Sequence, residues 1–168
     1  MRYIKTVKEL SLKVRRLPMT LEDQRLYNYN IGNPSTAHKA VVALARTHLR
    51  DLDQEYFITI PLDSKNRPLG AGLGAAGGPD VCNVDMRSVF RMAIHLAATS
   101  LVIAHNHPSG DRNPSPDDLR LTRAIAHAAD ILDLILIDHL IVTPDGGYLS
   151  LRKLDESLFH LPIDLDRV

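Results

Sequence analysis

The sequence holds a single cysteine, Cys82, and no tryptophan among its 168 residues. One cysteine excludes an internal disulfide and any multi-cysteine zinc cluster, so a transition metal here has to be held by histidines and carboxylates. Cys82 itself reads most simply as a small buried side chain. No apolar run approaches the roughly 20 residues that span a bilayer, and Met1 to Thr20 is charged where a signal peptide would be apolar. A soluble, cytoplasmic protein without a membrane partner is expected. Dinucleotide and P-loop signatures are also missing: the glycine-rich GAAGGPD, Gly74 to Asp80, lacks both the GxGxxG spacing and a following lysine.

A hydrophobic fraction of 45% suits one globular domain with a sizeable core and a short extension. The formal net charge of zero conceals an asymmetry. Residues 1–50 carry ten Lys/Arg against three Asp/Glu, and residues 51–168 carry ten against seventeen, so the parts stand at +7 and −7. A basic arm such as KVRR, Lys13 to Arg16, could meet nucleic acid or an acidic partner. The favoured reading is a solvated face balancing the acidic domain.

Tyr3 to Arg16 alternates loosely, as an extended or edge strand would. The GNPS turn, Gly32 to Ser35, starts a predicted helix over STAHKAVVALARTHLR with Ser35 as its cap. This organisation implies a basic extension over 1–30, a domain over 31–156 and a tail over 157–168. EYFITIPLD, Glu55 to Asp63, alternates bulky and β-branched residues and forms a predicted hairpin with RPLGAGL. Asp85 caps a predicted helix over MRSVFRMAIHLAAT, whose Val89, Phe90, Met92, Ala93, Leu96 and Ala97 recur at helical spacing. LVIA, Leu101 to Ala104, has the continuous apolarity of a central strand covered on both sides. LDLILID and HLIVT supply another strand, TPDGG a turn and YLSL the last strand. This alternation predicts an α/β domain with a mixed sheet between helices.

The chemistry concentrates after LVIA. Ligands in open α/β sheets sit beyond the carboxyl ends of strands. In extended backbone His105 and His107 point to the same side, so both imidazoles can reach one ion while Asn106 points away. The loop PSGDRNP returns to SPDD, where Ser115 caps a helix, Pro116 takes its first position and Asp118 its third, an S-x-x-D capping box. That fixes Asp118 near the histidines with one carboxylate oxygen free for an ion. Two histidines and a carboxylate leave a fourth tetrahedral position, the arrangement of a catalytic zinc site. Hydrolysis also needs a base, and Glu55 is the acidic residue a neighbouring strand would carry to that sheet end.

The pattern H-x-H-x(7)-S-x-x-D formed by His105, His107, Ser115 and Asp118 resembles the JAMM motif of JAB/MPN-domain metalloproteases. AHNHPSGDRNPSPDD, the LDSKN turn, LIDHLIV and GGYLSL together resemble the RadC branch of bacterial JAB proteins, over about Ser35 to Asp155. The resemblance implies one zinc per chain on His105, His107 and Asp118, with Ser115 steadying an oxyanion and Glu55 holding the proton of the attacking water. It implies amide hydrolysis of a peptide, isopeptide or protein substrate, on a three-layer fold similar to the cytidine deaminase architecture. One departure concerns substrate positioning: LGAAGGPDVCNV stands where RadC-type domains usually carry a glycine-threonine segment. RadC proteins commonly have an N-terminal helix-hairpin-helix DNA-binding region, for which the first fifty residues are too short, so the stand-alone JAB form is expected.

Other readings stay open beside this one. The zinc site could be structural, in a DNA repair or recombination accessory that binds DNA through its basic arm. The contiguous HNH tripeptide does not resemble the spread positions of HNH nucleases, and phosphodiester sites usually recruit more carboxylates or a second metal. His38, His48, His95, His127 and His160 read as surface or hydrogen-bonded residues. Asp111 and Asp117 read as solvent-facing charges favoured near a helix start. Asp138-His139 is either a pair orienting a metal ligand or a buried structural hydrogen bond. The apolar SLFHLPI near the C-terminus could pack on the domain or on a second copy, which would make a homodimer.

Overall fold

The computed structural model describes residues 54–77 and 84–160. The extension over 1–30, the helix expected over 35–50, Cys82 and the tail from 161 onward lie outside the described residues. The elements are β1 (Glu55–Leu62), β2 (Gly72–Gly77), α1 (Met86–His95), β3 (Ser100–Asn106), α2 (Pro116–Ile131), β4 (Ile135–Val142), β5 (Tyr148–Ser150), α3 (Leu151–Leu154) and a final 3-10 turn, Glu156–Phe159. They build an α/β domain on a mixed five-stranded sheet of order β2-β1-β3-β4-β5. β3 and β4 are parallel and joined through α2, while the other neighbours are antiparallel.

Strand alternation decides what each face holds. Ile58, Ile60 and Leu62 of β1 join Val102, Ala104, Leu140 and Val142 in one apolar cluster. Phe57 of β1 joins Leu101, Ile103 and Leu136 on the opposite face, against Val89, Phe90 and Ala93 of α1 and Ile125, Ala126 and Ala129 of α2. The two long helices therefore share one face. The other face is buried as well, with Ile60, Leu62 and Val102 at 0% exposure. Every residue of β3 is buried, as its continuous apolar run requires of a strand flanked on both sides.

The helix ends follow local chemistry. Asp85 accepts a hydrogen bond from the Arg87 N–H and caps α1. The helical pattern runs on toward Thr99, yet α1 stops at His95, because Ala97 takes a left-handed φ of 49° that turns the chain into β3. Asp133, at φ 60°, performs the same turn between α2 and β4. YLSL divides: Tyr148 to Ser150 is strand, and Leu151 already opens α3 with the Ser150 hydroxyl as its cap.

Candidate metal centre

Parallel strands β3 and β4 end at the same edge of the sheet, and α2 begins there. His105 is the penultimate residue of β3. His107 lies just past it, with its N–H donated to the Val142 carbonyl at 2.9 Å so that the strand direction continues. The chain then turns back through Gly110, whose φ of 80° suits only glycine, and this brings the Asp111 carbonyl onto His107 Nδ1 at 2.7 Å. The capping box forms as expected. Ser115 N–H and Oγ–H both donate to Asp118 Oδ2 at 2.7 Å, and Ser115 Oγ accepts from the Asp118 N–H at 3.1 Å.

Asp118 Oδ2 is thus held by its helix, and Oδ1 is directed to His105, 3.2 Å from its Nε2. His107 Nε2 is 2.9 Å from His105 Nε2 and 3.6 Å from Asp118 Oδ2. One ligand atom from each of the three residues lies within 4.8 Å of the others. A tetrahedral ion at about 2.0–2.1 Å from two nitrogens sets them about 3.3 Å apart, so this spread matches what such an ion needs.

Hydrogen bonding defines the tautomers. The Asp111 carbonyl can only accept, so His107 carries its proton on Nδ1 and turns the Nε2 lone pair inward. His105 Nδ1 is 2.8 Å from His139 Nε2, and His139 Nδ1 is 2.7 Å from Thr122 Oγ1. The Thr122 hydroxyl donates to the Asp118 carbonyl at 2.6 Å, so it accepts from His139, which in turn accepts from His105. The His105 Nε2 lone pair therefore also faces inward. Two lone pairs and a carboxylate at these distances repel one another unless a cation lies among them, and this donor chemistry fits a metal ion.

The electrostatics agree. Burial, with His107 nearby, pushes His105 down from its ordinary 6.5 to about 4, which suits a neutral metal-binding imidazole. Burial alone would raise the Asp118 carboxyl, but His107, His105 and Ser115 together hold it well below the usual carboxylate range. The neighbouring Asp118 carboxylate raises His107.

Glu55 opens β1 on the same face. The antiparallel register pairs Phe57 with His105, so two residues back along β1 sets Glu55 opposite His107. Burial raises its carboxyl, against the opposing effect of His107 and with a further rise from Asp118. Asn106 does point away from the ligands, but it has its own task. Its side chain accepts from the Tyr56 N–H at 2.7 Å and donates to the Gln54 carbonyl at 2.9 Å, clamping the backbone on both sides of Glu55.

Asp138 and His139 separate. Asp138 accepts from Ser150 Oγ at 2.7 Å, the Arg152 N–H at 3.2 Å and the His139 N–H at 2.7 Å, a structural hub with no contact to the ligands. His139 contacts His105 directly. Asp111 contributes its backbone carbonyl to His107 and its carboxylate to the Asn113 N–H. Thr122 escaped the sequence reading, since a threonine inside a helix carries no signal of its own. Its place one turn after Asp118, on the same helix face, is the pattern that could have found it.

The model of the RadC-like JAB domain family matches residues 35–157. The chain belongs to this family. Relatives include UPF0758 proteins of Chloroflexus aggregans, 34% identical over 139 residues (83% of this chain, 57% of the relative), and of Moorella thermoacetica, 38% over 123 residues (73% and 52%). A UPF0758 protein of Clostridium perfringens is 37% identical over 130 residues, 77% of this chain and 55% of the relative. The chain thus spans about half the length of these curated relatives. Its mixed sheet with flanking helices is consistent with a JAB/MPN-like fold. Among the described residues no helix is long and apolar enough to cross a membrane.

Proposed function

We propose that this RadC-like JAB domain is a zinc-dependent hydrolase that cleaves an amide bond, peptide or isopeptide, in a protein or peptide substrate. The observation that carries the reading is the convergence of the inward-facing Nε2 lone pairs of His105 and His107 with the free Asp118 oxygen, set opposite Glu55 on the neighbouring strand. Imidazole and carboxylate donors without thiolate suit zinc held by three protein ligands. When bound there, zinc supplies Lewis acidity, lowering the pKa of a water toward about 7 and polarising the scissile carbonyl.

The remaining work falls to side chains. The Glu55 carboxylate takes a proton as the water oxygen attacks the carbonyl carbon. It then passes that proton to the leaving nitrogen as the C–N bond breaks, giving a carboxylic acid and an amine. Partial burial suits Glu55 to both halves of this transfer, because a raised pKa lets it hold the proton between them. The Ser115 hydroxyl donates to Asp118 Oδ2 in this structure. Steadying the oxyanion requires it to turn from Asp118 to the substrate while the Ser115 N–H retains Oδ2. The Asn106 clamp keeps Glu55 in register with His107.

Glu55→Gln tests the reading on a peptide and isopeptide panel. Zinc content at the parent level with activity down at least 100-fold is expected; a variant that cleaves as fast as the parent removes Glu55 from the mechanism. One observation supports a second reading, a DNA-binding accessory role: the ten-to-three excess of basic residues in the first fifty. Salt-sensitive DNA binding that survives Asp118→Ala and is lost on neutralising KVRR would favour it.

A further inference from the structure

Thr122 lies one turn after Asp118 on α2, and His139 lies in the middle of β4; both are at 0% exposure, beneath a His105 that is 5% exposed. Their hydrogen bonds run in one direction: His105 Nδ1 to His139 Nε2 at 2.8 Å, His139 Nδ1 to Thr122 Oγ1 at 2.7 Å, and Thr122 Oγ1 to the Asp118 carbonyl at 2.6 Å. The chain starts on a ligand carried by the sheet and ends on the backbone of the ligand carried by the helix. Phe57 packs edge-on against His139, with ring centroids 5.9 Å apart. No water competes inside such a buried run, so each bond is made with its partner or left unmade at a cost.

We propose that Thr122 and His139 are positioning residues that couple the two halves of the metal centre, locking the His105 tautomer and the His105–Asp118 spacing and thereby setting metal affinity and coordination geometry. The proposal rests on the metal reading above and extends it to two residues outside the ligand set. The bond at the far end controls the near end. If the Thr122 hydroxyl is lost, His139 no longer has an acceptor for its Nδ1 proton, and nothing holds its Nε2 as the acceptor for His105. His105 can then place its own proton on Nε2, the atom that has to bind the ion. Partners that orient metal-bound histidines typically change affinity 10- to 100-fold when removed.

The test uses the whole chain, with zinc affinity from competition against a chromogenic chelator, the visible spectrum of the cobalt(II) form, and the melting temperature of metal-free protein. Thr122→Val keeps shape and removes the hydroxyl. It is expected to weaken zinc binding about 10-fold and to alter the cobalt bands, while Thr122→Ser stays within about 3-fold of the parent with the parent spectrum. A purely structural threonine would lower the melting temperature and leave affinity and spectrum alone, and that result overturns the proposal. Should Thr122→Val not fold, the pair His139→Gln and His139→Leu replaces it. The glutamine can still accept from His105, so it should bind zinc at least 10-fold more tightly than the leucine; equal binding overturns the proposal. A parent that takes up neither zinc nor cobalt refutes the metal reading and this proposal with it. A parent that binds tightly alongside variants that bind equally refutes the coupling alone.

Discussion

Lowering the pH from about 7 to about 5 should destabilise the metal-free protein through His105. In the unfolded chain this imidazole titrates at its ordinary 6.5, and in the fold burial pushes it down to about 4. Between these values the unfolded chain takes up a proton that the folded chain refuses. The stability His105 contributes is therefore complete above 6.5 and is lost as the pH falls toward 4. At about pH 5 the loss from this one group is about 2 kcal/mol, or about 4–8 °C in melting temperature for a domain of this size. His139, also buried and pushed well down, adds a loss of the same sign. His107 opposes them: its raised pKa contributes stability below 6.5 that disappears as the pH rises through the folded value. The comparison with His105→Gln removes this shared background. Urea unfolding of both proteins with chelator present, at about pH 7 and about pH 5, should show the parent losing about 2 kcal/mol more than the variant. Equal losses would refute the argument that a buried, neutral His105 drives the acid sensitivity.

Zinc affinity should show the companion effect, since a metal on His107 would have to compete with protons for Nε2. Apparent affinity should fall up to about tenfold for each pH unit below the raised His107 pKa, and chelator competition giving a flat profile between about pH 8 and about pH 5 would contradict the ligand set. Ser115→Ala removes the Oγ cap from the Asp118 N–H and should cost about 1 kcal/mol in urea unfolding; an unchanged midpoint would show that Pro116 and the Ser115 backbone suffice to start α2. Asp138→Ala leaves the Ser150 hydroxyl and the His139 and Arg152 N–H groups without their acceptor, and should cost about 2–4 kcal/mol. Its zinc affinity should stay within about 3-fold of the parent, and a larger loss in chelator competition would place Asp138 in the metal site after all.

Much of this site is written in local spacing. Residues two apart on a strand share a side, and a Ser-x-x-Asp helix start fixes its own carboxylate, so His105, His107, Ser115 and Asp118 could be grouped from the sequence. The strand over Glu55 to Leu62 and the apolar face of α1 were legible for the same reason: period-two and helical repeats are imposed by the backbone itself. The helix ends were less legible, because Ala97 and Asp133 adopt left-handed φ values under tertiary constraint and neither is a glycine.

What the sequence by itself determined, then, is the grouping of His105, His107 and Asp118, the α/β class and the resemblance to RadC-type JAB domains. The tertiary structure decided everything that crosses from one element to another. Asp138 and His139 are adjacent in sequence, yet they sit on opposite faces of β4, and only the surroundings of each face made one a structural hub and the other a partner of His105. The register of β1 on β3 set Glu55 opposite His107, and Asn106 holds it there across about fifty residues of chain. Thr122 gained its role because α2 packs where its hydroxyl meets β4. Strand pairing and burial fix such long-range contacts, and neither leaves a periodicity in the chain for sequence reasoning to find.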